Sequence, residues 1–151
     1  MSALPYSRYN RDTCKESLQI AKDLNTLQKH PHSVLVVEDE FLIRFMISDY
    51  LAECGFHVLE ASSADDAIDL LETMPVDVVF SDVNMPGKID GFGLAHWIRA
   101  NRPETLVLLT SGVARKANAM AHGLPPDSLV EKPYDVRHVA EHIQYLVEAM
   151  H

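Results

Sequence analysis

Side chains suited to phosphate chemistry recur where apolar runs stop. "VLVVEDE" closes on Glu38 and Asp39, and "VDVVFSDVN" delivers Asp82 two residues before Asn84. "TLVLLTSG" ends in Thr110 and Ser111, and "SLVEKPY" in Glu131 and Lys132. Three carboxylates brought together repel, so Glu38, Asp39 and Asp82 need protons or a cation. Hard oxygen ligands suit Mg²⁺, which keeps part of its hydration shell and favours phosphate sites. In that setting a carboxylate such as Asp82 is a nucleophile toward phosphorus and forms an acyl phosphate. Thr110 is placed to donate a hydrogen bond to the phosphoryl group, and Lys132 to neutralise it as a point charge.

The apolar runs must be elements that bring these ends to one edge. "SVLVV" is β-branched and continuously apolar, as a strand covered on both faces should be, and "FHVLEA", "VDVVF", "TLVLLT" and the short "SLVE" read as four further strands. Helical spacing follows each of them. "EFLIRFMISDYLAEC" puts Ile43, Ile47, Tyr50 and Leu51 on one stripe and stops at Gly55. "SADDAIDLLETM" starts on a Ser63 cap with acids in its first turn and has Pro75 beyond its end. "GFGLAHWIRAN" stops before Pro103, and "ARKANAMAHG" is a small-residue helix. "DVRHVAEHIQYLVEAM" carries Val136, Val139, Ile143, Leu146 and Met150 on one face. Alternation of five strands and five helices predicts an α/β, doubly wound, parallel five-stranded sheet, whose functional groups gather at the carboxyl ends of its strands. The strand ending "LEA" offers no comparable group.

Composition narrows the function classes. The 151-residue chain is 47% hydrophobic, enough for one cored domain with a small appendage, and its formal net charge of -9 opposes binding to a nucleic-acid backbone. Cys14 and Cys54 are too few for a disulfide framework and read as free thiols. No apolar run reaches membrane-spanning length and "MSALPYSRYNRD" lacks a signal-peptide core, so a cytoplasmic protein without a membrane partner is expected. Residues 1–32 form a polar N-terminal extension with a small positive charge, partly helical (through Cys14, Leu18, Ala21 and Leu24) or disordered. The domain proper is expected to run over 33–151.

"VLVVEDE", "SDVNMPG", "LLTSG" and "EKPY", in this order and at these separations, resemble a response-regulator receiver domain of two-component signalling, over residues 33 to about 150. The resemblance implies a flavodoxin-like (βα)5 fold and Asp82 as phosphoacceptor. It implies Mg²⁺ held by Asp39, Asp82 and the Asn84 carbonyl, with Glu38 assisting through water. Thr110 and Lys132 bind the phosphoryl group, and the Lys132–Pro133 bond is cis. The phosphodonor is a histidine kinase or histidine phosphotransfer protein. It is expected to dock on the first helix through Phe41 and Phe45, while a downstream protein target meets the fourth helix. Leu129 stands where many receivers carry an aromatic residue, so a signal would reach that helix by another route, through Thr110 and "SGVARKANA". The loop "MPGKIDG" is one residue longer than the commonest form.

The reading that follows is a single-domain response regulator, a switch or phosphoryl carrier and not an enzyme. One alternative is a phosphohydrolase with an aspartyl nucleophile, but such enzymes resemble D-x-D after the first strand, and here Asp-x-Asn follows the third. Another is the receiver of a transcription factor lacking its output domain. Two motifs read as bland: "HVAEH" matches H-x-x-E-H but leaves no third ligand, so His138 and His142 are taken as solvated. "GFGLA" is half a dinucleotide fingerprint following a loop, where a strand is needed.

Overall fold

The computed structural model describes residues 31–112 and 116–150, together with Glu16 and Ile20. The chain divides into two units, Met1–Pro31 and His32–His151, and the elements below belong to the second. The helical stripe anticipated at Cys14, Leu18, Ala21 and Leu24 lies outside the described residues.

Strands β1 (Ser33–Val37), β2 (His57–Ala61), β3 (Val78–Asp82), β4 (Leu106–Ser111) and β5 (Leu129–Glu131) alternate with helices. These are α1 (Phe41–Glu53), α2 (Ala64–Thr73), α3 (Gly91–Asn101), α4 (Lys116–Ala121) and α5 (Val136–Ala149). All strand pairs are parallel, in the order β2-β1-β3-β4-β5. Strand order reverses at β1, the place where open α/β sheets form their binding crevice. The expected fold class is the one observed.

Side-chain alternation along the strands divides the core in two. Val34, Val36, Val78, Phe80 and Leu108 face Ile47 and Leu51 of α1 and Val139, Ile143 and Val147 of α5. Leu35, Val37 and Val79 face Ala64, Ala67 and Leu71 of α2 and Leu94 and Ile98 of α3. A third cluster joins Leu109 to Ala95, Ala119 and Leu124. Apolar layers on both faces explain why the strands read as unbroken hydrophobic runs.

Helix ends follow local chemistry. Ser63 accepts a hydrogen bond from the Asp66 amide at 3.1 Å and caps α2, as expected. Gly55 ends α1 at φ 95°, a conformation that glycine adopts without strain.

Two stripes differ from expectation. In α1 the buried residues are Ile47, Ser48 and Leu51, all in its second half, while Ile43 is 36% exposed. In α5 the inner face is Val139, Ala140, Ile143 and Val147, and Met150 is 42% exposed in the final turn. Periodicity locates an apolar stripe but does not say which end of the helix lies over the sheet, nor which of two adjoining apolar rows turns inward.

Candidate functional site

The residues singled out in the sequence meet at the carboxyl edge of β1, β3, β4 and β5. Glu38 and Asp39 immediately follow β1, and Asp82 is the last residue of β3. One oxygen from each of these carboxylates lies within 4.8 Å of the others. Among the described residues, no other set of three or more potential metal ligands comes together in this way. His138 is exposed, whereas His142 is half-buried.

Each carboxylate is held differently. Asp82 is 7% exposed; its Oδ1 accepts from the Asn84 amide at 3.0 Å and its Oδ2 from Lys132 Nζ at 2.6 Å. Glu38 is 4% exposed, and its Oε1 accepts from the Glu40 amide at 3.1 Å. Burial pushes the Glu38 carboxyl up to about 7, the Glu40 amide opposes this, and Asp39 and the Asp82 charge reinforce it. Desolvation is the larger part of that rise, and the neighbouring carboxylates add to it. Asp39 is exposed, at the mouth.

The remaining members come from the neighbouring strands. Thr110 is opposite Asp82 in the β3–β4 register and 1% exposed. Lys132 extends β5 through a bond from its amide to the Ser111 carbonyl at 3.0 Å, and the Lys132–Pro133 peptide is cis. Tyr134 follows, its ring edge-on to Phe80 at 5.8 Å, and burial, then the Glu38 and Asp82 charges, push its hydroxyl up to about 12. Asn84 is exposed beside the pocket and donates its amide to Asp82. Leu129 is half-buried against Leu109, part of the third cluster.

The start of α1 is unusually apolar for a surface. Phe41 is 64%, Leu42 71%, Phe45 53% and Met46 68% exposed. Phe41 and Phe45 stack at 6.2 Å, as their spacing of four suggests. Phe45 and Met46 also line an open groove of about 600 Å³ shared with Tyr134 and Val136.

Two residues at this edge carried no weight in the sequence. Arg44 donates from Nη1 to the Glu38 carbonyl at 2.7 Å, lies 3.5 Å from Glu60 Oε1, and its guanidinium is 5.5 Å from the Phe41 ring centre. Glu60 belongs to the strand that was read as contributing nothing. Arg44 is the sole base in α1, and packing leaves its side chain only 15% exposed.

A parallel sheet in this order, with an acid pocket and a lysine at its carboxyl edge, is the layout of a receiver-type α/β domain. The chain matches the response regulator receiver domain over residues 34–144 and belongs to that family. It is 36% identical over 107 residues to the transcriptional regulatory protein PdtaR of Mycobacterium tuberculosis, covering 66% of this chain and 52% of that protein. To the probable chemotaxis protein CheY of Rhizobium etli it is 27% identical over 121 residues, 78% of this chain and 93% of that one. The receiver domain of the Francisella response regulator 1452 superposes with a TM-score of 0.72 at 25% identity, covering 81% of this chain and all of the other. The chain spans about half the length of most curated relatives it matches.

The protein is therefore a receiver of two-component signalling. Receivers bind Mg²⁺ at an acidic pocket, and the hard-oxygen donor set of Glu38, Asp39 and Asp82 fits that ion. Among the described residues no helix is long and apolar enough to cross a membrane.

Proposed function

We propose that this receiver accepts a phosphoryl group on Asp82 from a histidine kinase or histidine phosphotransfer protein, and serves as a signalling switch or phosphoryl carrier. The observation that carries this reading is the 2.6 Å contact of Lys132 Nζ with Asp82 Oδ2, in the same pocket as two further carboxylates. A carboxylate paired with a lysine at a strand end is poised toward an incoming phosphoryl group.

Asp39 and Asp82, with the Asn84 carbonyl, hold Mg²⁺, and Glu38 assists. When bound, the ion supplies positive charge to offset the phosphoryl oxygens and the carboxylates. A carboxylate oxygen of Asp82 attacks phosphorus. The new O–P bond forms as the bond from phosphorus to the donor's imidazole nitrogen breaks, and the departing imidazole takes a proton from water. Lys132 moves its contact from the carboxylate to the phosphoryl oxygens, and Thr110 donates a hydrogen bond to them. The donor docks on the exposed apolar face of α1 around Phe41 and Phe45, exposed aromatics of the kind that anchor interfaces.

Intact mass after incubation with acetyl phosphate and Mg²⁺ tests the assignment. Wild type should gain one phosphoryl group and Asp82→Asn none; equal incorporation would overturn it. Sustained turnover of a generic phosphate ester would instead favour the phosphohydrolase reading.

A further inference from the structure

We propose that Arg44 is a positioning residue for the acidic pocket, acting through a closed ring that joins β1, α1 and β2. The inference rests on the reading of Glu38, Asp39 and Asp82 as a Mg²⁺ site.

The ring is closed by three contacts and the covalent link between Glu60 and Ala61, with Glu38 at one corner. Its amide donates to the Ala61 carbonyl at 3.1 Å. Its carbonyl accepts from Arg44 Nη1 at 2.7 Å. Arg44 Nε lies 3.5 Å from Glu60 Oε1, and Glu60 is the covalent neighbour of Ala61. The carboxylate is held separately by the Glu40 amide at 3.1 Å. Main chain and side chain of Glu38 are therefore gripped at once. Arg44 holds the main chain, while the charges that reach the carboxyl are those of Asp82 and Lys132.

This arrangement answers a mechanical problem. The turn between β1 and α1 must hold Glu38 and Asp39 toward Asp82 although all three repel. Repulsion would open a free turn, and a guanidinium fixed at both ends resists that opening. Residues one step back from metal ligands typically change metal affinity ten-fold or more when removed. The remaining face of the guanidinium lies against Phe41, which is 64% exposed, so a partner covering Phe41 bears directly on the ring.

Calorimetric titration of the full chain with Mg²⁺ tests this, alongside thermal unfolding in chelator. Arg44→Met should bind Mg²⁺ about ten-fold more weakly. Arg44→Lys, able to reach the Glu38 carbonyl but not to span to Glu60, should fall between. Glu60→Gln, at an exposed side chain, should weaken binding about two- to three-fold with the metal-free midpoint unchanged. A role confined to general stability would lower the midpoint and leave affinity alone, which would overturn the proposal. So would wild-type affinity in both Arg44→Lys and Glu60→Gln, which decide the matter if Arg44→Met does not fold. Asp39→Asn separates the two levels of argument. If it binds like wild type, the metal site itself is misassigned and both readings fall; if it binds weakly while the ring variants do not, only the ring falls.

Discussion

A methyl group at Gly91 would run into the main-chain carbonyl of Asp82 and sit against the Val83 Cα. Gly91 also donates its amide to the Val83 carbonyl at 2.8 Å, so the chain after the phosphoacceptor is clamped to the first turn of α3. This is why "GFGLA" has glycine at its start, and the reason is close approach of backbone to backbone, unrelated to a dinucleotide. Gly91→Ala should destabilise the domain by about 1–3 kcal/mol, the usual range for overpacking. Chemical denaturation measures that loss, and acyl phosphate formation from acetyl phosphate should slow in parallel because Asp82 itself is displaced. A variant with wild-type stability and rate would show that the loop yields freely.

The helices differ in what they leave uncovered. α1 buries Ile47, Ser48 and Leu51 and exposes Phe41, Leu42, Phe45 and Met46 near its start, the face to which the proposed function assigns the phosphodonor. Phe45→Ala should slow phosphotransfer from a cognate protein donor about ten-fold, as loss of an interface anchor does, while sparing phosphorylation by acetyl phosphate. Loss of both activities would point to damaged folding. α5 begins on Asp135, whose Oδ1 accepts from the Arg137 amide at 2.9 Å and whose Oδ2 pairs with Arg137 Nη2 at 2.9 Å. The Arg137 side chain, then its amide, hold the Asp135 carboxyl down at about 2, from an ordinary 3.8. A carboxyl lowered in the folded state contributes stability above its unfolded value and loses it as pH falls through the folded one. The difference in thermal midpoint between wild type and Asp135→Asn should therefore be constant above about pH 5, shrink from about pH 4 downward and be lost only below about pH 2. The pair is exposed, so the difference should also shrink in high salt; a gap undiminished at about pH 2 would show that charge is not its source.

At the scale of the molecule, the core clusters found among the described residues run from Val34 to Val147 and cover both faces of the sheet. Removing residues 1–30 should leave cooperative unfolding and phosphorylation of Asp82 intact. Circular dichroism melts and intact mass together check this, and loss of the cooperative transition would make the extension part of the domain. The match to relatives about twice as long makes the receiver one part of the proteins it resembles.

The order of elements, the parallel sheet and the principal site residues were all legible in the chain. Strands buried on both faces must be apolar throughout, and the polar residues that interrupt them can only mark their ends. Asp82, Thr110 and Lys132 were therefore visible as a group without coordinates. Inner rows of helices were read less well, because Ile43 and Met150 satisfy the helical period yet lie where no strand covers them. Arg44 and Glu60 could not be found at all, since a basic side chain in α1 and an acid in β2 are ordinary surface residues until packing sets them against the Glu38 carbonyl. Periodicity acts along one element and is written in consecutive residues. The grip on the pocket arises between elements, where distance in sequence says nothing about distance in space.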